Sequence, residues 1–318
     1  MNDKILMDSK SRLLTKTWVV TLIAMLCCLL WGSAFPCIKI GYQLFHIASE
    51  DTASQILFAG VRFMLAGVLA IAIGSLAAKR VLLPSRESLG RICKLSIFQT
   101  ILQYLFFYVG LAHTTGVKAS IIEASNVFFA ILVSCLVYHY EKLGKEKIVG
   151  CILGFAGVVL INLNGTGLDG SMSFLGEGFI LLSTLSYAFS SILVKKYSQK
   201  DNPVLLSGYQ FLAGGAVMAL AGALFGGHIE GVTPSSAALL FYMAVISSVA
   251  YSLWAVLLKY NPVGKVAVFG FMNPVFGVIL SAALLGEQNQ AFTLQGVVSL
   301  VLVCAGIYAV NRETAKKI

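Results

Sequence analysis

The constraint that most limits this chain is a succession of apolar stretches, each of roughly 20 residues, the length at which a helix crosses a bilayer. Ten of them are legible, at 18–38, 56–78, 95–112, 119–139, 148–164, 177–194, 203–225, 237–257, 266–285 and 292–310. The first five recur in order as the second five. An odd number of crossings per block inserts the second block upside down relative to the first, an arrangement common among transporters. The expected fold class is therefore an all-α integral membrane protein, with ten transmembrane helices in two inverted five-helix repeats. The repeats are bounded at 18–165 and 173–311, between an N-terminal tail over 1–17 and a C-terminal tail over 312–318.

Hydrophobic residues form 58% of the 318 and charged residues only 12%, a balance that excludes a water-soluble domain. Gly, Ser and Cys are scattered through the apolar runs without strict alternation, which favours a helical bundle over a barrel. The seven cysteines (Cys27, Cys28, Cys37, Cys93, Cys135, Cys151, Cys304) lie mostly within those runs and read as small buried side chains. They suggest neither a disulfide framework nor a metal site.

A net charge of +9 would suggest nucleic acid in a soluble protein, but the placement of the charges suggests orientation instead. With the N-terminus inside, twenty of the 23 Lys and Arg fall on the cytoplasmic side. They are Lys4, Lys10, Arg12 and Lys16 in the tail; Lys79, Arg80, Arg86, Arg91 and Lys94; Lys142, Lys145 and Lys147; Lys195, Lys196 and Lys200; Lys259 and Lys265; and Arg312, Lys316 and Lys317. The opposite face keeps Lys118 and collects Glu50, Asp51, Asp169, Glu230 and Glu287. This is the positive-inside pattern, and it sets both termini in the cytoplasm. No nucleic-acid partner is expected; the partners are the lipid bilayer and a small-molecule substrate. The first run continues past Gly32-Ser33-Ala34 and is expected to remain as a helix, not to be cleaved as a signal peptide. The polar stretch from Lys79 to Lys94 reads as a short basic loop.

Aligned by residue, Leu30-Trp31-Gly32 faces Ser186-Tyr187-Ala188, with Lys39 on Lys195. Gly60-Val61-Arg62-Phe63 faces Gly208-Tyr209-Gln210-Phe211. Further on, Tyr104 matches Tyr251, Phe107 matches Trp254, Lys118 matches Lys265 and Asn126 matches Asn273. Glu141-Lys142 then meets Glu287-Gln288, and Gly150 meets Gly296.

Several short motifs stand in the same order: Trp31-Gly32-Ser33-Ala34-Phe35, Arg62-Phe63, Gly110-Leu111 with Thr114-Thr115-Gly116, Asn273-Pro274, Leu285-Gly286-Glu287, and the span from Gly296 to Gly306. On these residues nearly the whole chain resembles the drug/metabolite transporter superfamily, specifically the EamA family with two EamA-type domains. The resemblance implies a multi-pass protein of the cell membrane that exports or exchanges small metabolites, often amino acids or related amphipathic compounds. It names no single substrate. The proline expected after Asn126 is Val127, and the first-half glutamate motif reads His139-Tyr140-Glu141, so the fourth helix is expected to bend less than the ninth.

Charged residues within the bilayer each admit two readings. Arg62 lies six residues past Ile56, about 9 Å in at 1.5 Å per residue. It is either an anion ligand in an outer vestibule or, the favoured reading, a residue that snorkels or ties helices together. Glu123 either exchanges protons to couple transport or, the favoured reading, neutralises Arg62 or Lys39. Lys39 reads as interfacial, at a helix end. The substrate site is expected where the repeats meet, lined by Trp31 with Tyr187, Tyr104 with Tyr251, Phe107 with Trp254, and Asn126 with Asn273. The rings offer apolar and cation-binding surface and the asparagines offer donors and acceptors. For any one of these residues helix packing is the favoured reading; for the mirrored set the two readings stand even.

An intramembrane enzyme would need a nucleophile with a base, or a metal cluster. His46, His113, His139 and His228 fall at helix ends or loops, and neither GxSxG, HExxH nor GxxxxGK[ST] occurs. The expectation is a non-enzyme with no cofactor and no metal, acting as a secondary carrier, with protons as a candidate coupling ion, as a monomer or homodimer. The alternatives are a facilitative exchanger or importer of an anionic metabolite, with Arg62 and Lys39 as ligands, and a non-transporting channel or receptor.

Overall fold

The computed structural model describes residues 13–139, 143–163, 173–261, 266 and 268–316. Expectations resting on Lys4, Lys10, Arg12, Glu141, Lys142, Gly165, Asp169, Lys265 and Lys317 lie outside them, as do the side chains of Lys195, Lys259, Arg312 and Lys316. The described chain is built of helices: α1 (Thr17–Leu44), α2 (Thr52–Ala78), α3 (Arg86–Leu95), α4 (Gln103–Ala112), α5 (Gly116–Glu123), α6 (Asn126–Leu132), α7 (Lys145–Leu163), α8 (Phe179–Tyr197), α9 (Pro203–Leu224), α10 (Pro234–Tyr260), α11 (Met272–Leu285), α12 (Gln288–Ala291) and α13 (Leu294–Lys316). π-helical turns join α3 to α4 (Ser96–Leu102), extend α6 (Val133–Val137) and lead into α8 (Phe174–Gly178). Seven segments are long and apolar enough to cross a membrane: Thr17–Leu44, Thr52–Ala78, Arg86–Ala112, Gly116–Val137, Phe174–Val194, Pro203–Leu224 and Pro234–Trp254. Met272–Leu285 and Leu294–Ala309 are shorter apolar helices.

Helix starts follow local chemistry. Asp51, Ser85, Thr115 and Thr233 each accept a backbone N–H three residues on, Asn202 accepts from Val204, and Pro203 and Pro234 occupy first turns, where a missing N–H is harmless. Large apolar side chains then face outward at helical spacing, as Trp18, Leu22, Leu26 and Leu29 do on α1. Buried positions include Ser33, Gln103, Ser120, Ser125, Thr184, Gln210, Ser247 and Ser281. An apolar exterior around a partly polar interior suits lipid as solvent.

The helices approach one another most closely where they carry glycine. Helices α2 and α9 run antiparallel with no room for a β-carbon at several positions: Gly60 lies against Ala219, Gly208 against Ile71, Gly67 against Leu212 and Gly215 against Met64. Helices α7 and α13 pack similarly, with Gly157 against Ser299 and Gly306 against Gly150. Helix α1 packs on α10 and α11, while α8 packs on α4 and α6.

Three expectations are corrected. The first helix does not end at Lys39 but runs on to Leu44, past the buried Pro36, so Lys39 is an internal, partly buried residue. The stretch from Lys79 to Lys94 is not simply a loop. Ser85 caps α3, whose Ile92 and Leu95 join Leu82, Leu205 and Leu206 in a small apolar core. The fourth segment is interrupted despite lacking proline: Ser125 N–H bonds Ile122 and Val127 N–H bonds Ala124, so the backbone tightens for one turn between α5 and α6. Pro274, by contrast, sits in the first turn of α11 and leaves that helix unbroken to Leu285.

Candidate functional site

The sequence-matched aromatic residues converge from several helices. Trp31 of α1 meets Tyr251 edge-on at 5.6 Å and Trp254 at 5.1 Å, both on α10. The hydroxyls of Tyr104 and Tyr251 are 3.0 Å apart, joining α4 to α10. Phe63 lies 4.1 Å from Tyr104 and stacks on Phe211 at 5.3 Å, and Phe211 in turn meets Tyr251 at 5.1 Å. Tyr104, Tyr187 and Tyr251 are half-buried.

Glu123 ends α5 just before the interruption, in the neighbourhood of these three tyrosines. Asn126, at the start of α6, lies close to its carboxyl. The other oxygen, Oε2, is buried with no partner. The expected neutralisation of Arg62 or Lys39 by Glu123 does not occur: among the described residues no cation forms an ion pair with it. The reason is that both cations are engaged elsewhere.

Arg62 is buried, and each guanidinium nitrogen donates to a protein oxygen. Nε reaches the Met243 carbonyl at 3.1 Å, Nη1 the Tyr108 hydroxyl at 2.6 Å and Nη2 the Ser247 hydroxyl at 3.1 Å. The rings of Phe63 and Tyr108 lie 5.1 and 5.9 Å from its central carbon. Of its two readings, the geometry is that of a tie between α2, α4 and α10. Lys39 donates to the Thr114 carbonyl, with Glu287 as a neighbouring counter-charge.

Beyond Lys39 lies a polar cluster whose residues the sequence shows as motifs and loop charges but does not bring together as a site. Glu287 accepts from the backbone of Gly116 and Val117 at 3.1 and 2.8 Å, where a carboxylate complements the positive end of α5. Thr115 donates to Gln290, and Glu177 accepts from Thr114 and pairs with Lys118 at 3.4 Å. Ser49, His113, Thr114, Thr115, Lys118 and Glu177 line a pocket of ≈ 390 Å³ beside it.

Of the remaining expected site residues, Phe107 is buried against Phe35 and Tyr104 and belongs to the packing of the aromatic cluster. Asn273, in the first turn of α11, keeps an unpartnered Oδ1, and Trp31 keeps an unpartnered Nε1. Phe63 and Phe211 are absent from the expected site although they stand beside Arg62 and Gln210 in matched motifs; that matched pair was the signal that could have found them.

A bundle of apolar helices around an aromatic cluster and a buried carboxylate defines an all-helical, multi-pass membrane protein. The EamA-like transporter family matches residues 18–163 and again 174–312, and the chain belongs to that family. An uncharacterized transporter of Archaeoglobus fulgidus is 30% identical over 292 residues, covering 90% of this chain and 95% of its own. The transporter YvbV of Bacillus subtilis, likewise uncharacterized, is 26% identical over 95% of this chain and 94% of its own. A probable amino-acid metabolite efflux pump of Salmonella typhimurium is 28% identical over 90% and 92%. One crystal structure at 17% identity covers 94% of this chain and 98% of that one with a TM-score of 0.66, a likeness of fold alone.

Proposed function

We propose that this EamA-family transporter is a secondary carrier that moves a small amphipathic metabolite, such as an amino acid or related compound, outward across the cell membrane by alternating access. Both termini lie in the cytoplasm. Ten spans form two inverted repeats, 18–165 and 173–311, which rock about a substrate site lined by Trp31, Tyr104, Tyr187, Tyr251 and Trp254.

The observation that carries this reading is the reciprocity of contacts between the halves. Position 60 matches 208 and position 71 matches 219; Gly60 lies on Ala219 and Gly208 on Ile71. Position 67 matches 215 and 64 matches 212; Gly67 lies on Leu212 and Gly215 on Met64. Arg62 bonds Ser247, and in the matched pair with the halves exchanged Thr100 bonds Gln210 at 2.7 Å. Such exchange is what a two-fold axis in the membrane plane produces, and carriers of this design bind substrate near it. The anionic-substrate alternative loses support because the guanidinium of Arg62 is already held by protein oxygens.

Counterflow in proteoliposomes with pooled labelled amino acids, nucleosides and sugar phosphates tests the carrier. Exchange of one class, silenced by Trp31→Ala or Asn273→Ala, is expected; a protein that exchanges none of them contradicts it. Glu123 is the proposed proton-coupling group, being buried with its Oε2 unpartnered. Glu123→Gln is expected to abolish the dependence of transport on an imposed pH gradient while substrate still binds. An unchanged pH response removes Glu123 from that role.

A further inference from the structure

Where α2 ends and α9 begins, the chain builds a basic surface in which the aromatic cluster has no part. Helix α2 closes on Lys79, whose left-handed backbone (φ 51°) turns the chain off the helix axis at a place glycine usually fills. The next residues are fixed by hydrogen bonds. Arg80 N–H bonds the Ser75 carbonyl, Leu82 N–H bonds the Ser75 hydroxyl at 3.0 Å, and the Tyr209 hydroxyl of α9 donates to the Leu82 carbonyl at 3.0 Å. Leu82 is thereby buried beside Gly74 and the Leu205-Leu206 core, while its neighbours Val81 and Leu83 are turned outward, 70% and 71% exposed. On α3 the buried Ser88, Ile92 and Leu95 leave Arg86 and Leu89 exposed.

Exposed Val81, Leu83 and Leu89 beside exposed Lys79, Arg80, Arg86 and Lys94 suit neither water nor the hydrocarbon core. They suit the layer between, where apolar side chains dip beneath the headgroups and cations stay among the phosphates. The position agrees: Thr52–Ala78 is long and apolar enough to cross a membrane, and the surface starts at the residue after it ends. The nearby carboxylates are used elsewhere, Asp201 on Arg91 at 2.6 Å and Glu87 on Arg91 at 3.7 Å. Among the described residues no acid pairs with Lys79, Arg80, Arg86 or Lys94.

We propose that this surface binds an anionic glycerophospholipid, whose phosphate lies among Lys79, Arg80 and Arg86 and whose acyl chains cover Val81, Leu83 and Leu89. A zwitterionic lipid brings its own cation to the same place and is disfavoured. Because Leu82, Ile92 and Leu95 of the first half pack there on Leu205 and Leu206 of the second, the bound lipid braces a junction between the halves. The site is independent of what the protein transports.

Cys93, the exposed one of the seven cysteines, stands one turn beyond Leu89 and reports on the surface. The test places a fluorophore on Cys93 of the full chain in nanodiscs and quenches it with brominated lipids. Brominated phosphatidylglycerol is expected to act with at least about fivefold higher apparent affinity than brominated phosphatidylcholine, the factor that a single cation near an anionic leaflet supplies. Arg80→Gln with Arg86→Gln is expected to erase that preference. Arg80→Lys with Arg86→Lys should keep it, showing that the loss is one of charge and not of fold. Val81→Ser with Leu83→Ser is expected to weaken quenching by both lipids, whereas a site for free anions would not respond. Three outcomes overturn the proposal: equal quenching by the two lipids, a preference undiminished by Arg80→Gln with Arg86→Gln, or a preference lost to inorganic phosphate at constant ionic strength.

Discussion

Arg62 illustrates how a charge is kept inside a bilayer protein: three neutral oxygens from two other helices take up its nitrogens, and two rings cover it. Removing it leaves the Tyr108 and Ser247 hydroxyls and the Met243 carbonyl short of a partner, and unsatisfied buried groups are expensive. Arg62→Met is therefore expected to destabilise the fold by on the order of 3 kcal/mol, read as a lower thermal midpoint in detergent. A variant as stable as the parent would mean that the tie contributes little. Arg62 and Glu123 are both visible in the sequence as intramembrane charges, and they were expected to answer each other. Their separate fates depend on Tyr108 and Ser247, which hold Arg62 and whose positions relative to it no local pattern reveals.

Among the elements, α2 and α9 depend on backbone contact. A β-carbon on Gly215 would lie 2.6 Å from the Met64 nitrogen, and neither backbone can yield without parting the helices. Gly215→Val is expected to cost about 3 kcal/mol or more and to lower folded yield, as overpacking does. Gly90, exposed on α3 with nothing within 4 Å, is the control: Gly90→Ala should raise stability by about 0.5–1 kcal/mol through helix propensity. Both are read from thermal melts. The junction between α3 and α9 is held by Asp201, which accepts from Ser88 at 2.7 Å and from Arg91 at 2.6 Å. Burial pushes its carboxyl up, but these donors and the Arg91 charge outweigh that and hold it below its ordinary 3.8. Since the folded value is the lower one, this stabilisation is complete above pH 3.8 and lost as pH falls through the depressed value. Asp201→Asn should thus lower the melting midpoint at pH 7 by an amount worth about 1 kcal/mol, with the difference from the parent vanishing under strong acid. At this scale helix positions are legible from hydropathy and caps. The break at Ala124-Ser125 is not, because it arises in the backbone and is braced by a Ser125 bond to Thr184 on another helix.

For the whole molecule, orientation is the expectation most open to direct measurement. Cys93 is the one exposed cysteine among the described residues, and it stands at the end of the bundle assigned to the cytoplasm. A membrane-impermeant maleimide is expected to label it in inside-out vesicles and not in right-side-out ones; the opposite pattern inverts the topology. Length, apolarity and charge order are properties of each segment alone, and a bilayer acts on segments one at a time, so the multi-pass class and the family were readable from the chain. The mirrored residues could be matched there as well, Tyr104 with Tyr251 and Gly60 with Gly208. What folding added was which polar atoms are satisfied and which are not: a guanidinium consumed by helix ties, Phe107 withdrawn into packing, Phe63 and Phe211 brought into the aromatic cluster, and one carboxylate oxygen buried without a partner. Those outcomes depend on helices far apart in sequence meeting at short distance, and hydrogen-bond satisfaction is decided by that distance and not by residue type.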